Sequence, residues 1–234
     1  MRSNEDYRQA MEKEAKSVEL LYSTKPKRVF LGEREYRIPA NYFSPKQRDE
    51  PDTLRAGESG FGFFLFLPDF GGYTKDNWQD HFDRRLIYVV QVKEADKNRM
   101  IRQRDGTYRP IHPSAYGDAM AAFENRRPRL EELPSFKLHG LEGYQYKGRR
   151  THQIIWTGTR SSGEFFFLEC SLAPGETEKP GAVFPLCQTR YYSEKEDLRI
   201  AYRYPREHLA KWREIDDAIW ARLHSWQVTG VKGR

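Results

Sequence analysis

The chain has 234 residues, 38% hydrophobic and 32% charged, with 14 Tyr, 14 Phe and 5 Trp. That aromatic content excludes a disordered polymer, and the length suffices to bury a core without disulfides or metals. The net charge of +6, from 40 Lys plus Arg against 34 Asp plus Glu, permits an acidic partner but lacks the charge segregation of a dedicated nucleic-acid binder.

The first segment, Glu5 to Tyr22, places Tyr7, Met11, Ala15, Val18 and Tyr22 at helical spacing and predicts an N-terminal helix, with Asn4 as its cap. A hairpin follows: Val29-Phe30-Leu31, a Gly32-Glu33 turn, then Tyr36 and Ile38 before Pro39. Ser44 to Ser59, polar and broken by Pro45, Pro51 and Gly57, reads as a surface loop. Phe61 to Leu67 is an unbroken apolar run and predicts a central strand buried on both faces. A loop from Pro68 to Asp83 leads to a strand over Arg85 to Lys93. Ser114 to Asn125, bounded by Pro113 and Pro128, predicts a middle helix with Tyr116, Met120 and Phe123 on one face.

Strands are predicted over Gly143–Lys147, His152–Thr157, Glu164–Ser171, Leu186–Tyr192 and Leu198–Tyr204. The last is the clearest: Leu198, Ile200, Tyr202 and Tyr204 face one way, and Arg199, Ala201 and Arg203 the other. Pro205 suits the start of a long C-terminal helix. Its stripe of Leu209, Trp212, Ile215, Ile219, Leu223 and Trp226 needs a sheet or a partner helix to cover it, with Glu214, Asp216 and Asp217 assigned to the solvated side. The expected fold is therefore α+β, one domain over residues 1–234: a mainly antiparallel sheet with an N-terminal, a middle and a C-terminal helix packed on it.

Chemistry-bearing motifs fail one by one. Gly60-Phe61-Gly62 has no third glycine and no Gly-Lys-Ser/Thr, so it is not a phosphate loop. Gly57-Glu58-Ser59-Gly60 continues into Phe61, where a nucleophile elbow requires glycine. Asp80-His81-Phe82-Asp83 bunches three possible ligands without a second histidine at helical spacing, which is a surface run rather than a metal site. No catalytic residue, metal or cofactor is assigned. Cys170 and Cys187 lie in neighbouring strand segments within reach of a cross-strand disulfide; with no apolar secretory stretch after Met1, two buried reduced thiols in a cytoplasmic protein are expected. No run is long enough to span a bilayer.

Partner binding is left. Phe70, Tyr73 and Trp78 sit on a loop between two buried strands, and Arg102, Arg104 and Tyr108 on a basic one; aromatics and arginines on loops held by a sheet are common interface hot spots. Further Arg clusters at Arg126-Arg127-Pro128-Arg129 and Lys147-Gly148-Arg149-Arg150 make nucleic-acid binding the alternative.

Two segments resemble a known family. Tyr36-Arg37-Ile38-Pro39-Ala40-Asn41-Tyr42-Phe43 is similar to the opening of small bacterial immunity-type proteins, and Cys187, Tyr191, Tyr192, Leu198 to Tyr204, Leu209, Trp212 and Ile215-Asp216 resemble their ending. The resemblance covers about a third of the chain. It implies an immunity protein of a type VI secretion effector, a non-enzyme that binds and blocks a cognate toxin encoded by an adjacent gene. Because many relatives carry a signal peptide or lipobox and no such stretch follows Met1, the implied toxin acts in the cytoplasm, as a nuclease does. Inhibitors of nucleases are often acidic, so a basic chain of this kind must work by shape or away from the catalytic groove.

Overall fold

The computed structural model describes residues 22–44, 47, 52–57, 60–77, 86–94, 100–102, 108–110, 133–147, 152–171 and 185–228. Thirteen strands lie in them: β1 (Pro26–Leu31), β2 (Arg34–Pro39), β3 (Thr53–Ala56), β4 (Phe61–Phe66), β5 (Leu86–Glu94), β6 (Met100–Arg102), β7 (Tyr108–Pro110), β8 (Ser135–Leu138), β9 (Leu141–Lys147), β10 (His152–Thr159), β11 (Phe165–Ser171), β12 (Leu186–Ser193) and β13 (Leu198–Pro205). They form an eight-stranded sheet in the order β4-β5-β13-β12-β11-β10-β9-β8, a three-stranded sheet β2-β1-β3 and the hairpin β6-β7. Every pairing is antiparallel except β1 with β3.

This corrects the expected α+β arrangement. Among the described residues the only α-helix present over more than a single residue is α1 (Trp212–Trp226), and the architecture is a mainly antiparallel β fold closed by that helix. The expected N-terminal helix, up to Tyr22, and the expected middle helix fall outside the described residues, as does the whole of Asp80 to Asp83. Pro205 ends β13 rather than opening an α-helix: Arg206–Lys211 form a 3-10 turn before α1 begins.

The patterned segments fold as their residues dictate. Gly32 takes the left-handed conformation (φ 57°) that a two-residue hairpin turn requires, and β1 and β2 pair from Leu31↔Arg34 outward. The α1 stripe is buried along its whole length against the large sheet. Trp212 stacks on Phe166 (centroids 4.6 Å apart), and Trp226 meets Phe63 (5.1 Å) and Tyr42 (4.7 Å) edge to face. One apolar cluster runs through Val29, Ile38, Phe63, Ile200, Ile219 and Trp226, so it joins the small sheet, the large sheet and the helix. The helix exit is tied to the small sheet by a Tyr36↔Gln227 bridge and by the Val228 N–H donating to the Glu35 carbonyl (2.8 Å).

Two strand expectations change. The Phe61 run is not central but lies at one end of the ladder, and it is apolar because both faces are covered: Phe63 by Trp226, Phe64 and Phe66 by Tyr73. The polar stretch after Ser44 contains β3, whose backbone adds in parallel to β1. Cys170 and Cys187 face each other in register across β11 and β12 (Cα–Cα 4.0 Å) and are disulfide-bonded, in place of the expected reduced thiols. The chain that separates them returns antiparallel, which puts them opposite one another.

Candidate partner-binding surface

The strongest cluster of ionisable groups is interior. Asp216, on α1, faces the sheet rather than solvent and is 1% exposed. Arg160, from the turn after β10, donates from Nε to Asp216 Oδ2 (2.7 Å) and from Nη1 to Glu164 Oε2 (2.6 Å). The hydroxyls of Tyr191 and Tyr202 both donate to Asp216 Oδ1, and the Trp220 indole N–H donates to the Tyr191 oxygen (2.7 Å). The Arg160 guanidinium also lies over the Tyr191 and Trp220 rings, at 4.4 and 5.2 Å. Burial pushes the Asp216 carboxyl above the usual carboxylate range, against the pull of Arg160 and the two tyrosines. Burial likewise drives the Tyr191 and Tyr202 hydroxyls well up, so both stay protonated donors. With Arg160 6% exposed and Asp216 nearly sealed, no substrate reaches this cluster. It locks the rotation of α1 on the sheet.

The expected contact residues fare differently. Phe70 has a left-handed backbone (φ 54°), packs half-buried on the core, and accepts a bond from Arg222 Nε at its carbonyl (3.1 Å). Tyr73 is 2% exposed and packs on Phe64 and Phe66, so its ring has no surface to offer. Trp78 and Arg104 lie outside the described residues. Arg102 and Tyr108 are direct cross-strand partners in the β6–β7 hairpin. The structure thus joins Phe70 with Tyr73 in one turn, and Arg102 with Tyr108 across one hairpin.

What the sequence missed is the far end of the large sheet. The exposed large apolar side chains among the described residues are Phe136 (40%) and Leu138 (43%), both on β8, and Phe165 (38%), which opens β11 on the opposite face of the sheet. β8 ends the strand ladder, and its four residues are all exposed. Phe136 leans on Trp156 (5.2 Å, edge to face), which in turn covers Gly143, where a side chain would collide with the indole. An open groove of about 520 Å³ adjoins, lined by Lys137, Leu141, Glu142, Thr159, Phe165 and Arg213. On the outer face of the same sheet Arg190 and Arg203 are exposed, with Arg203 over the Tyr88 ring (4.8 Å). Apolar side chains beside an open strand edge and a mixed-charge groove are equipment for holding another polypeptide. Four residues reading Ser-Phe-Lys-Leu are too few for a periodic signal; the turn pair His139-Gly140 was the only local sign of this hairpin.

Among the described residues no group of His, Cys, Asp and Glu is placed to hold a metal, and no helix is long and apolar enough to cross a membrane. No protein-family model matches the chain, and no curated protein matches it. Among solved structures, the fold is similar to that of an immunity protein of the Stenotrophomonas maltophilia type IV secretion system. The likeness has a TM-score of 0.60 at 17% identity and covers 89% of this chain and 95% of the other.

Proposed function

We propose that the chain is an immunity protein: it binds a secreted effector toxin and neutralises it, with no chemistry of its own. The observation that carries this reading is the fold likeness to a secretion-system immunity protein over nearly the full length of both chains. The β8 end of the sheet is the proposed main contact. Phe70 and Trp78, and Arg102, Arg104 and Tyr108, are proposed secondary contacts on their residue chemistry alone. The continuity of the core from Val29 to Trp226 supports treating the chain as one domain.

A type VI nuclease effector rests on the sequence resemblance alone, whereas the structural neighbour serves a type IV system. The Cys170–Cys187 bond favours a working compartment more oxidising than the cytoplasm, since such bonds persist where thiol reductants do not dominate. That supports an effector that acts outside the cytosol over a nuclease. Because both cysteines are buried, the check is alkylation of cells quenched and denatured in the reagent: both cysteines should stay unlabelled unless reductant is added, and labelling without reductant would favour the cytoplasmic reading.

The function is tested by expressing the product of the neighbouring reading frame in a sensitive host, in each compartment, with and without this chain. Rescue of growth together with a co-purifying, salt-tolerant complex is the expected result. Absence of rescue, or steeply salt-dependent binding to DNA instead, refutes it.

A further inference from the structure

The β8–β9 hairpin determines which backbone groups β8 leaves open. His139 and Gly140 both take positive φ (52° and 75°), as a two-residue turn of the mirror-image type requires, and Leu138 pairs with Leu141 across it. The Gln145 N–H donates to the Pro134 carbonyl (3.3 Å), which fixes the alternation. Positions 134, 136 and 138 are the hydrogen-bonded partners of β9, and Ser135 and Lys137 direct their N–H and C=O away from it. No described residue pairs with that outer edge. The opposite edge of the sheet is managed differently: Phe66 donates to the Gly71 carbonyl (2.9 Å), and the β4 side chains are covered.

Side chains complete the picture. Phe136 and Leu138 project to one face, two-fifths exposed, where alternate residues of an added strand would cover them. Lys137 projects to the other face, in the middle of the strand. Within the hairpin Lys137 lies across from Glu142; self-pairing centred on Phe136 or Lys137 would add a second Lys137 diagonal or opposite to it, whereas an acidic residue on a foreign strand would pair with it.

We propose that an extended segment of the effector docks on β8 as a ninth strand of the sheet, with apolar residues over Phe136 and Leu138 and an acidic residue beside Lys137. The proposal rests on the immunity reading. It makes main-chain pairing the source of affinity, with side-chain pockets setting specificity.

The test compares Lys137→Pro with Lys137→Gln, using as probe the inactivated effector identified by growth rescue. Proline removes the outward N–H without touching the β8–β9 bonds, and an edge strand tolerates it there. Glutamine removes only the charge. Proline should weaken binding on the order of 10- to 100-fold, and glutamine by a few-fold. In the unsubstituted complex, the Ser135 and Lys137 amides should exchange with deuterium at least about tenfold more slowly than in the free chain; this readout decides the matter even if the proline variant folds poorly. Unchanged affinity in a folded proline variant, or unprotected amides, overturns the docking mode while rescue leaves the immunity reading standing. Failure of any effector to be neutralised overturns both. Self-association of the chain alone that Lys137→Pro abolishes assigns the edge to a second copy and also overturns the proposal.

Discussion

Replacing Arg160 by Met tests whether the Asp216 cluster is held by charge balance. Methionine keeps most of the packing over Tyr191 and Trp220 but leaves Asp216 with only two hydroxyl donors. Glu164 is little affected, because Ser162, Ser193 and the Glu194 backbone still donate to it. Removing one partner of a buried pair costs about 3–5 kcal/mol, because the other charge is left uncompensated. For a chain of this size about 4 kcal/mol corresponds to a fall in Tm of roughly 8–16 °C. The cost should depend on pH with a definite sign. Asp216 already has a raised folded-state pKa, and losing Arg160 raises it further. The stability tied to its proton is therefore present at low pH and lost as pH rises through the folded value. Thermal melts of Arg160→Met should show a smaller deficit near about pH 5 than near about pH 8. Arg160→Met combined with Asp216→Asn should recover more than half of the loss at the higher pH. If the double variant is as unstable as the sum of the singles at every pH, uncompensated charge is not the cause and this account of the cluster fails.

Opening the Cys170–Cys187 bond, whose partners are 17 residues apart, should cost about 3 kcal/mol through the entropy returned to the unfolded chain; calorimetry with and without reductant measures it. Glu164 has the opposite pH behaviour to Asp216. Burial raises its pKa, but the hydroxyls of Ser162 and Ser193 together with Arg160 outweigh it and hold the carboxyl below its usual value. Its stabilisation is present above the unfolded value and lost as pH falls through the folded one, so Glu164→Gln should flatten the acid limb of Tm against pH below about pH 4. Gly143→Ala puts a methyl 2.6 Å from the Trp156 ring and should cost about 1–3 kcal/mol in a urea melt, together with a shift in Trp fluorescence.

Sequence periodicity exposed the scaffold better than the surface. The alternation of Leu198, Ile200, Tyr202 and Tyr204 is readable because each of these side chains meets the same buried face, and the Leu209 to Trp226 stripe because one helix covers that face. Asp216 broke the same logic. A carboxylate next to Asp217 reads as solvated, and what buries it is Arg160, 56 positions earlier in the chain, which local pattern does not reveal. The Phe61 run was apolar enough to pass for a central strand because burial of both faces looks alike at the middle and at a covered edge. β8 and β3 were invisible for the reverse reason: four residues each, partly polar, they are strands only because a longer neighbour supplies their hydrogen bonds. Aromatic content on a loop did not separate Tyr73, which plugs the core, from Phe70 beside it, which is half out.

The strand order carries a consequence for how the molecule is made. β13 lies between β5 and β12, so the β4–β5 pair and the run from β12 to β8 share no hydrogen-bonded seam until the last strand is in place. On a ribosome, both halves wait for residues near 205 to emerge, and α1 arrives later still. Pairings this distant in sequence form slowly, and until then β5 and β12 each present an open strand edge to whatever is near. A nascent chain stopped before β13 is thus two unfinished sheets rather than a shortened version of one.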